Sequence, residues 1–235
     1  MCNLFSNTMP ADAMRSLFEV APDQDHLGNA PPLSAIFPDA DVPIVRVGEG
    51  GRQLVRARWG WSKAPFGWVT NARKLDGFPW KFAIGRKDQR CLVPATSFAE
   101  YHPSQQIAGK SGKPIKAATW FRLIGQGYRP PFAFAGFARD WNWEKQGLRR
   151  KSDQPLKDTG TPVRAMAFLT TRPNCIVAPI HPKAMPVILR STEEFECWLT
   201  GSAEEAAALQ RPLPDESLEI AFTGAKEDPQ PTLGH

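Results

Sequence analysis

The hydrophobic residues of this chain fall in short runs that are bounded by glycine, proline or polar clusters. Runs of this length that are rich in aromatic and β-branched residues predict strands. The two segments 43–47 and 54–59 flank a glycine-containing turn, Gly48 to Gly51, which predicts a β-hairpin. Further strands are predicted at 91–94, 97–102, 117–124, 131–137, 164–171 and 185–190.

Helical periodicity is confined to short segments. Residues 9–19 repeat apolar positions at i, i+3 and i+4 after Pro10 and predict a helix. Ser191 with Glu194, and Ser202 with Glu205, have the capping-box spacing, and the second pair begins an alanine-rich helix that Pro212 ends. Residues 71–75 predict one helical turn. Residues 22–43, rich in proline, and the polar segment 139–162 predict loops.

Together these elements predict an α+β fold: a single compact domain with an antiparallel, barrel-like β core and a few short peripheral helices. We place the domain at residues 1–223 and expect 224–235 to be a disordered tail. The 23 prolines argue against long helices. No apolar run approaches the ~20 residues of a membrane-spanning helix, and the first residues lack a signal peptide, so we expect a cytoplasmic protein without a membrane partner.

The charge of the chain is concentrated in one segment. The net charge is +5, yet between residues 52 and 90 ten lysines and arginines face only two aspartates. Four tryptophans lie in the same segment. Cations interspersed with aromatic rings are typical of surfaces that bind single-stranded nucleic acid. The alternative is a solvated charged face over a tryptophan-rich core.

Of the four cysteines, Cys2 has an unusual position. Removal of Met1 would leave a 1,2-aminothiol, whose amine has a pKa near ~7.7–8.0. Such a group condenses with an aldehyde to an imine, and the thiol then closes a five-membered thiazolidine. The same thiol could instead attack an amide, as in N-terminal nucleophile hydrolases, or its position could be incidental. The cysteines form no C-x-x-C pair, and we predict no metal site and no cofactor.

Either chemistry needs a proton-transfer group. Glu100 shares one face of a predicted strand with Phe98 and His102, and an apolar face would raise the pKa of its carboxyl. His181 lies in a proline-bracketed turn between two apolar strands. The structural alternatives are an ion-paired glutamate at a strand end and a hydrogen-bonded turn histidine.

Six short motifs occur in a characteristic order. They are Met1-Cys2, Trp59-Gly60-Trp61, Asn71-Ala72-Arg73, the stretch 90–95 followed by Phe98-Ala99-Glu100, Phe134-Ala135-Gly136, and His181 ahead of 185–189. In this the chain resembles the SOS response-associated peptidase family of abasic-site processing proteins. The resemblance implies an α+β domain that binds single-stranded DNA, loses Met1 autocatalytically, and traps abasic sites as a thiazolidine crosslink that protects them.

The resemblance also implies residue roles. Cys2 would be the nucleophile and crosslinking residue, Asn71 would hold the α-amine, and Glu100 would transfer protons. His181 would open the deoxyribose ring and support β-elimination. The DNA contacts implied are Arg73 on phosphate, Trp59 and Trp61 beside the groove, and the further cations Arg90 and Lys183. We expect a monomer.

The chain departs from the family pattern at two phosphate contacts. Leu4 stands where an arginine is usual, and Lys183 replaces an arginine in a turn that is one residue longer, so a bidentate contact becomes a point charge. Two other functions therefore stay open. One is an N-terminal nucleophile amidohydrolase or peptidase acting without DNA, and the other is a non-catalytic single-strand binder.

Overall fold

The computed structural model describes residues 2–28, 30–62, 68–109, 111–125, 129–141 and 163–229. The helices are α1 (Ala11–Leu17), α2 (Trp80–Ala83), α3 (Thr192–Thr200) and α4 (Ala203–Ala208). The strands are β1 (Phe5–Asn7), β2 (Leu33–Ile36), β3 (Asp41–Gly48), β4 (Gly51–Trp59), β5 (Trp61–Ser62), β6 (Trp68–Val69), β7 (Asn71–Ala72), β8 (Arg90–Ala95), β9 (Ser97–Ala108), β10 (Pro114–Leu123), β11 (Phe132–Trp141), β12 (Val163–Thr171), β13 (Met185–Pro186), β14 (Ile188–Leu189) and β15 (Leu218–Gly224). The α+β fold class is confirmed.

The larger sheet closes into a near-barrel. Its ring runs β12-β4-β3-β8-β11 and returns to β12 through the β11–β12 pairing. The predicted hairpin is confirmed as β3 and β4, which pair from Asp41 opposite Arg58 to Gly48 opposite Gly51. Gly50 and Gly51 have φ of 85° and 123° in the turn, a region that side chains with a Cβ disfavour. Because the ring closes through the β11–β12 pairing, each of its five strands is paired on both sides and none is an exposed edge.

The sequence predicts an antiparallel barrel, but two of the strand pairings in the larger sheet are parallel. Strand β12 runs parallel to β4, with Ala165 opposite Arg58, and parallel to β7, with Phe168 opposite Asn71. A parallel pair needs a long connection, and the chain between these strands provides it. Residues 71–75 were predicted as a helical turn, which is wrong for the first two, because Asn71 and Ala72 form strand β7.

The second sheet has the order β15-β10-β9-β1-β2 and holds the amino-terminal strand in its interior. Phe5 lies opposite Phe98 of β9 on one side and Ile36 of β2 on the other. Strands β1 and β2 were not predicted, since β1 has three residues and β2 lies within the segment 22–43 that we expected to be a loop. Because β1 is paired on both sides, the residues just before it are held in fixed register.

An aromatic core joins the two sheets. The ring of Phe5 packs edge-on against Trp59 at 5.1 Å between centroids and against Phe134 at 5.5 Å. A second apolar cluster includes Met14, Trp80 and Trp198 and so covers the other face of the barrel with helices. Strand β1 is therefore anchored in two ways: the side chain of Phe5 packs in the core, and its backbone pairs with the neighbouring strands.

The helix predictions are confirmed in outline. Helix α1 lies within the predicted 9–19. Ser191 caps α3 by accepting from the Glu194 amide, and Ser202 with Glu205 forms a complete capping box at α4. In the polar segment 139–162, β11 continues through residue 141, and 142–162 lie outside the described residues. No helix in the described ranges is long and apolar enough to cross a membrane.

The segment 225–229, expected to begin a disordered tail, is packed against β1 and β9. Asp228 is 2% exposed and pairs with Arg129. Its Oδ2 accepts from Ser6 Oγ at 2.7 Å and from Ser97 Oγ, and Arg129 also donates to the Pro229 carbonyl at 2.8 Å. Residues 230–235 lie outside the described residues. We call residues 225–229 the carboxy-terminal strap.

The substitution Asp228→Asn is expected to lower the free energy of unfolding by about 3–5 kcal/mol, because it leaves the buried Arg129 guanidinium without a countercharge. Asp88→Asn is the control, since it removes the exposed ion pair with Arg86 and should change the free energy of unfolding little. Urea denaturation of both variants measures the difference. Equal losses in the two variants would contradict the structural importance of the strap.

Candidate active site

The thiol of Cys2 is buried against the β1–β9 pairing. The Ala99 amide donates to the Leu4 carbonyl at 2.9 Å, which continues the antiparallel register one residue beyond β1. Cys2 follows on this path, and its Sγ lies 3.4 Å from the Leu4 carbonyl and 3.8 Å from the Ala99 carbonyl. Burial, together with the nearby Glu100 carboxylate, raises the pKa of the thiol well above its usual value. The group is therefore a protonated thiol that needs a base to become a nucleophile.

Glu100 is the carboxylate beside that thiol. It lies on β9 opposite Thr119 of β10 and is 5% exposed. Its Oε1 is buried without a hydrogen-bond partner. Desolvation raises its pKa from 4.5 to about 7. Near neutral pH both protonation states are populated, so the carboxyl can accept and return a proton.

Asn71 connects the start of the chain to the barrel. Its Nδ2 donates to the Cys2 carbonyl at 3.0 Å and to Thr70 Oγ1 at 2.8 Å. Thr70 Oγ1 in turn donates to Asn3 Oδ1 at 3.1 Å, while the Thr70 carbonyl accepts from Trp59 Nε1 at 2.9 Å. Asn71 Oδ1 is buried and has no partner. The backbone of Cys2 is thus fixed, and one acceptor beside it is left unused.

His181 closes a turn that packs on the same apolar core. Its amide donates to the Val177 carbonyl at 2.8 Å, and Val177 belongs to the apolar cluster that contains Cys2. Nδ1 lies 2.9 Å from the Ala184 carbonyl and 3.2 Å from the Ala184 nitrogen, which fixes the ring. Burial lowers the pKa of the imidazole, and the positive charge of the amino terminus lowers it further. The ring is therefore neutral at pH 7.

An open cleft of about 540 Å³ lies beside the Cys2 backbone. Its walls are formed by the hydrogen-bonded residues Asn3, Trp59 and Thr70, and by Gly60, Tyr101 and residues 37–39. Phe37 and Tyr101 are 39% and 36% exposed, so their rings face solvent at this cleft. It is large enough to take a sugar and part of a base.

The four predicted catalytic residues have distinct placements. Contacts bring Cys2 together with Asn71, and electrostatic coupling brings it together with Glu100. His181 is linked to Cys2 only indirectly, through Val177, which accepts from the His181 amide and lies in the apolar cluster that contains Cys2. His102, which shares the strand with Glu100, instead accepts from the Gln105 amide at 2.9 Å and takes no part in this group.

The predicted DNA contacts are less uniform. Trp59 is buried and stacks near Phe168, although it forms part of the cleft wall. Trp61 is 1% exposed and packs on Trp80, so it has no surface to offer to DNA. Arg90 is likewise 1% exposed and donates to the Gly201 carbonyl at 2.6 Å, where it stabilises the end of α3. Arg73 and Lys183 are exposed.

Some cations of the basic segment 52–90 are paired with acidic side chains. Arg52 pairs with Glu19 and with Glu196 of α3, whereas Arg86 pairs with Asp88. Of the two alternatives for this segment, the burial of Trp59, Trp61 and Trp80 favours a charged face over a tryptophan-rich core. Counting charges along the sequence does not reveal which of them are neutralised by distant acids.

Two features of the site, its cleft walls and the burial of Leu4, were not predicted. Thr70, Tyr101 and residues 37–39 form the cleft walls, and only Tyr101, next to Glu100, had a signal in the sequence. Leu4 is 2% exposed and packs with Ala99 and Trp120, so the family's phosphate contact is replaced here by a core side chain. Within the described residues no group of three or more His, Cys, Asp or Glu could hold a metal ion.

Comparisons with known proteins show the family of the chain. The family model described as "SOS response associated peptidase (SRAP)" matches residues 1–223. The abasic site processing protein YoqW of Bacillus subtilis is 27% identical over 191 residues, which cover 78% of this chain and 73% of that protein.

Two solved structures from Bordetella bronchiseptica share the fold. One protein has a TM-score of 0.66 at 19% identity and covers 95% of this chain and 98% of its own. The other, described as phage-related, has a TM-score of 0.64 at 21% identity and covers 97% of this chain and 100% of its own. With a family model that spans nearly the whole sequence, the chain belongs to the SOS response-associated peptidase family.

Proposed function

We propose that this protein processes abasic sites in single-stranded DNA by crosslinking to them through Cys2 after Met1 has been removed. The observation that carries the proposal is a pair of unused buried acceptors. Within the part of the chain that the structure describes, Asn71 Oδ1 and Glu100 Oε1 both lack a hydrogen-bond partner beside a fixed Cys2. Buried acceptors without partners are costly, so their retention indicates a donor that is bound during function.

The free α-amine of Cys2 is the donor that fits these acceptors. The amine and the carbonyl of one residue share a Cα, and the carbonyl is already held by Asn71 Nδ2. Once the Met1–Cys2 peptide bond is hydrolysed, which consumes one water, the amine can donate to Asn71 Oδ1 and to Glu100. Glu100, with a carboxyl pKa of about 7, can serve as the base that activates this water.

The crosslinking chemistry then balances. The neutral amine attacks C1′ of the ring-opened deoxyribose, and loss of one water gives an imine. The Cys2 thiol adds to the same carbon, so a carbon–sulfur bond forms while the sulfur's proton passes through Glu100 to the nitrogen. The product is a thiazolidine, and one water is released overall. Because the thiol is protonated in its buried site, the transfer through Glu100 is required.

His181 is proposed to prepare the sugar. An abasic deoxyribose is mostly a closed hemiacetal, and opening it requires a proton to leave the C1′ hydroxyl while the ring oxygen gains one. A neutral imidazole can accept the first proton. The lowered pKa of His181 keeps it in this form at pH 7. The name of the Bacillus subtilis relative, an abasic site processing protein, supports the same substrate.

Incubation with a single-stranded oligonucleotide that carries an abasic site is expected to give a heat-stable adduct whose mass is the sum of both components less one water. Cys2→Ala should abolish this adduct and leave only an imine that borohydride traps. Cys175→Ala, which removes an exposed cysteine, is the control and should react as the wild type does. Amide hydrolysis without any adduct, from protein whose mass confirms loss of Met1, would favour the N-terminal nucleophile hydrolase instead.

Glu100→Gln is expected to have opposite effects on stability and on reaction rate. A carboxyl whose pKa rises from 4.5 to about 7 on folding stabilises the protein below pH 4.5, and this contribution is lost as the pH rises through 7. The wild type should therefore lose up to about 3 kcal/mol between pH 4.5 and 8, a loss that the variant avoids. Crosslinking should slow by about 100-fold or more.

Urea denaturation across this pH range and single-turnover crosslinking measure the two effects of Glu100→Gln. The control is Glu216→Gln, since Glu216 is exposed. A Glu100 variant that crosslinks at the wild-type rate, or that follows the wild-type stability profile, would remove the carboxyl from the mechanism.

His181→Ala is expected to slow crosslinking to an ordinary abasic site by up to about 100-fold, because the variant lacks the base that opens the sugar. It should react almost normally with an oligonucleotide that carries an acyclic aldehyde. His102→Ala is the matched control, since that imidazole only accepts local amides of β9. Equal slowing on both substrates would show that His181 acts after ring opening.

A further inference from the structure

A second cleft lies where β7 and β12 end. It has a volume of about 390 Å³ and is lined by Arg73, Thr171, Arg172, Gln210, Arg211 and Pro212. Arg73 follows β7 directly, and Arg172 follows β12. Since β7 and β12 are parallel neighbours, their last residues lead to the same edge of the barrel. The cleft is thus built by the fold from three separate parts of the chain.

Hydrogen bonds hold the cleft in shape. Gln210 Nε2 donates to the Arg73 carbonyl at 2.6 Å and to the Thr170 carbonyl at 2.9 Å, so one side chain ties the two strand ends together. The Arg73 guanidinium donates to the Thr171 carbonyl. These bonds satisfy backbone carbonyls that would otherwise repel an anion, and they leave most guanidinium N–H groups of the cleft for a ligand.

The cleft has an excess of positive charge. Arg211 pairs with Glu194, whereas no ion pair of the described residues includes Arg73 or Arg172. Both of these residues are exposed. Arginine guanidinium groups bind phosphate oxygens in a bidentate manner. This arrangement therefore favours a phosphate group over an apolar ligand.

We propose that this cleft binds a backbone phosphate of the DNA strand, close to the lesion, with Arg172 and Arg211 as phosphate-binding residues. The inference rests on the proposed function and adds a contact to it. Asn71, which holds Cys2, is two residues from Arg73, or about 7 Å along an extended chain. The cleft thereby supplies a cationic contact that position 4 lacks, since Leu4 is apolar and buried in the core.

The test is the double variant Arg172→Gln/Arg211→Gln, assayed with a lesion-free fluorescent single-stranded oligonucleotide at several salt concentrations. We expect affinity at low salt to fall about 10-fold, and the slope of log K against log salt to fall by about 0.7, the value for one phosphate on a single strand. Arg86→Gln removes the same charge from an exposed ion pair elsewhere and should change neither. Unchanged affinity in the double variant, or equal weakening by Arg86→Gln, would overturn the proposal.

Two further arms separate the remaining outcomes. Arg172→Gln alone keeps the Arg211–Glu194 pair and should weaken binding about threefold, which guards against misfolding of the double variant. Inorganic phosphate should compete no better than sodium chloride of equal ionic strength. Competition below 1 mM that the variant loses would mean a free-phosphate site and overturn the assignment to the strand. Absence of any abasic-site adduct in the wild type would refute the proposed function, whereas the lesion-free affinities still decide on the cleft.

Discussion

The pairing of β1 between β2 and β9 is the constraint on which the site depends. An amino-terminal segment is normally among the most mobile parts of a domain. Here the short strand β1 is paired with β2 on one side and with β9 on the other. Phe5, its first residue, is fully buried among the aromatic rings of the core. Cys2 is separated from this anchor by only two residues, and Asn71 fixes its carbonyl as well. Precise placement of a terminal thiol therefore comes from a strand that lies in the middle of a sheet.

Desolvation gives the site its chemical character. The thiol and the carboxyl both resist ionisation because they are buried, and the charge of Glu100 raises the pKa of the thiol further. A carboxyl that titrates near neutral pH can carry a proton in either direction, which an exposed glutamate with a pKa near ~4.3 cannot do efficiently. Burial of Glu100 lowers the stability of the folded protein above pH 7, and the same burial makes the residue a suitable proton carrier.

Local patterns longer than three residues were enough to predict most of the barrel. The β3–β4 hairpin, the strands around Glu100 and Phe134, and the serine caps of α3 and α4 all have local signals. Strand β1 could not be predicted, because three residues carry no periodicity and its pairing depends on partners about 30 and 90 residues away. The candidate roles of Cys2, Asn71, Glu100 and His181 were predicted from the chemistry of these residue types and from the family resemblance. The burial of Trp61 and Arg90 could not be foreseen, since a tryptophan or arginine in a motif looks the same in the core as on a surface.

The carboxy-terminal strap ties one end of the chain to the other. The Asp228 carboxylate accepts hydrogen bonds from Ser6, on strand β1 just after Cys2, and from Ser97, where β9 begins. During synthesis on the ribosome, these hydroxyls and Arg129 have no carboxylate until residue 228 has been translated and has emerged. Strand β1, which follows Cys2, therefore reaches its final packing only after residue 228 has been synthesised, and truncation before the strap would leave Cys2 on a loosened sheet.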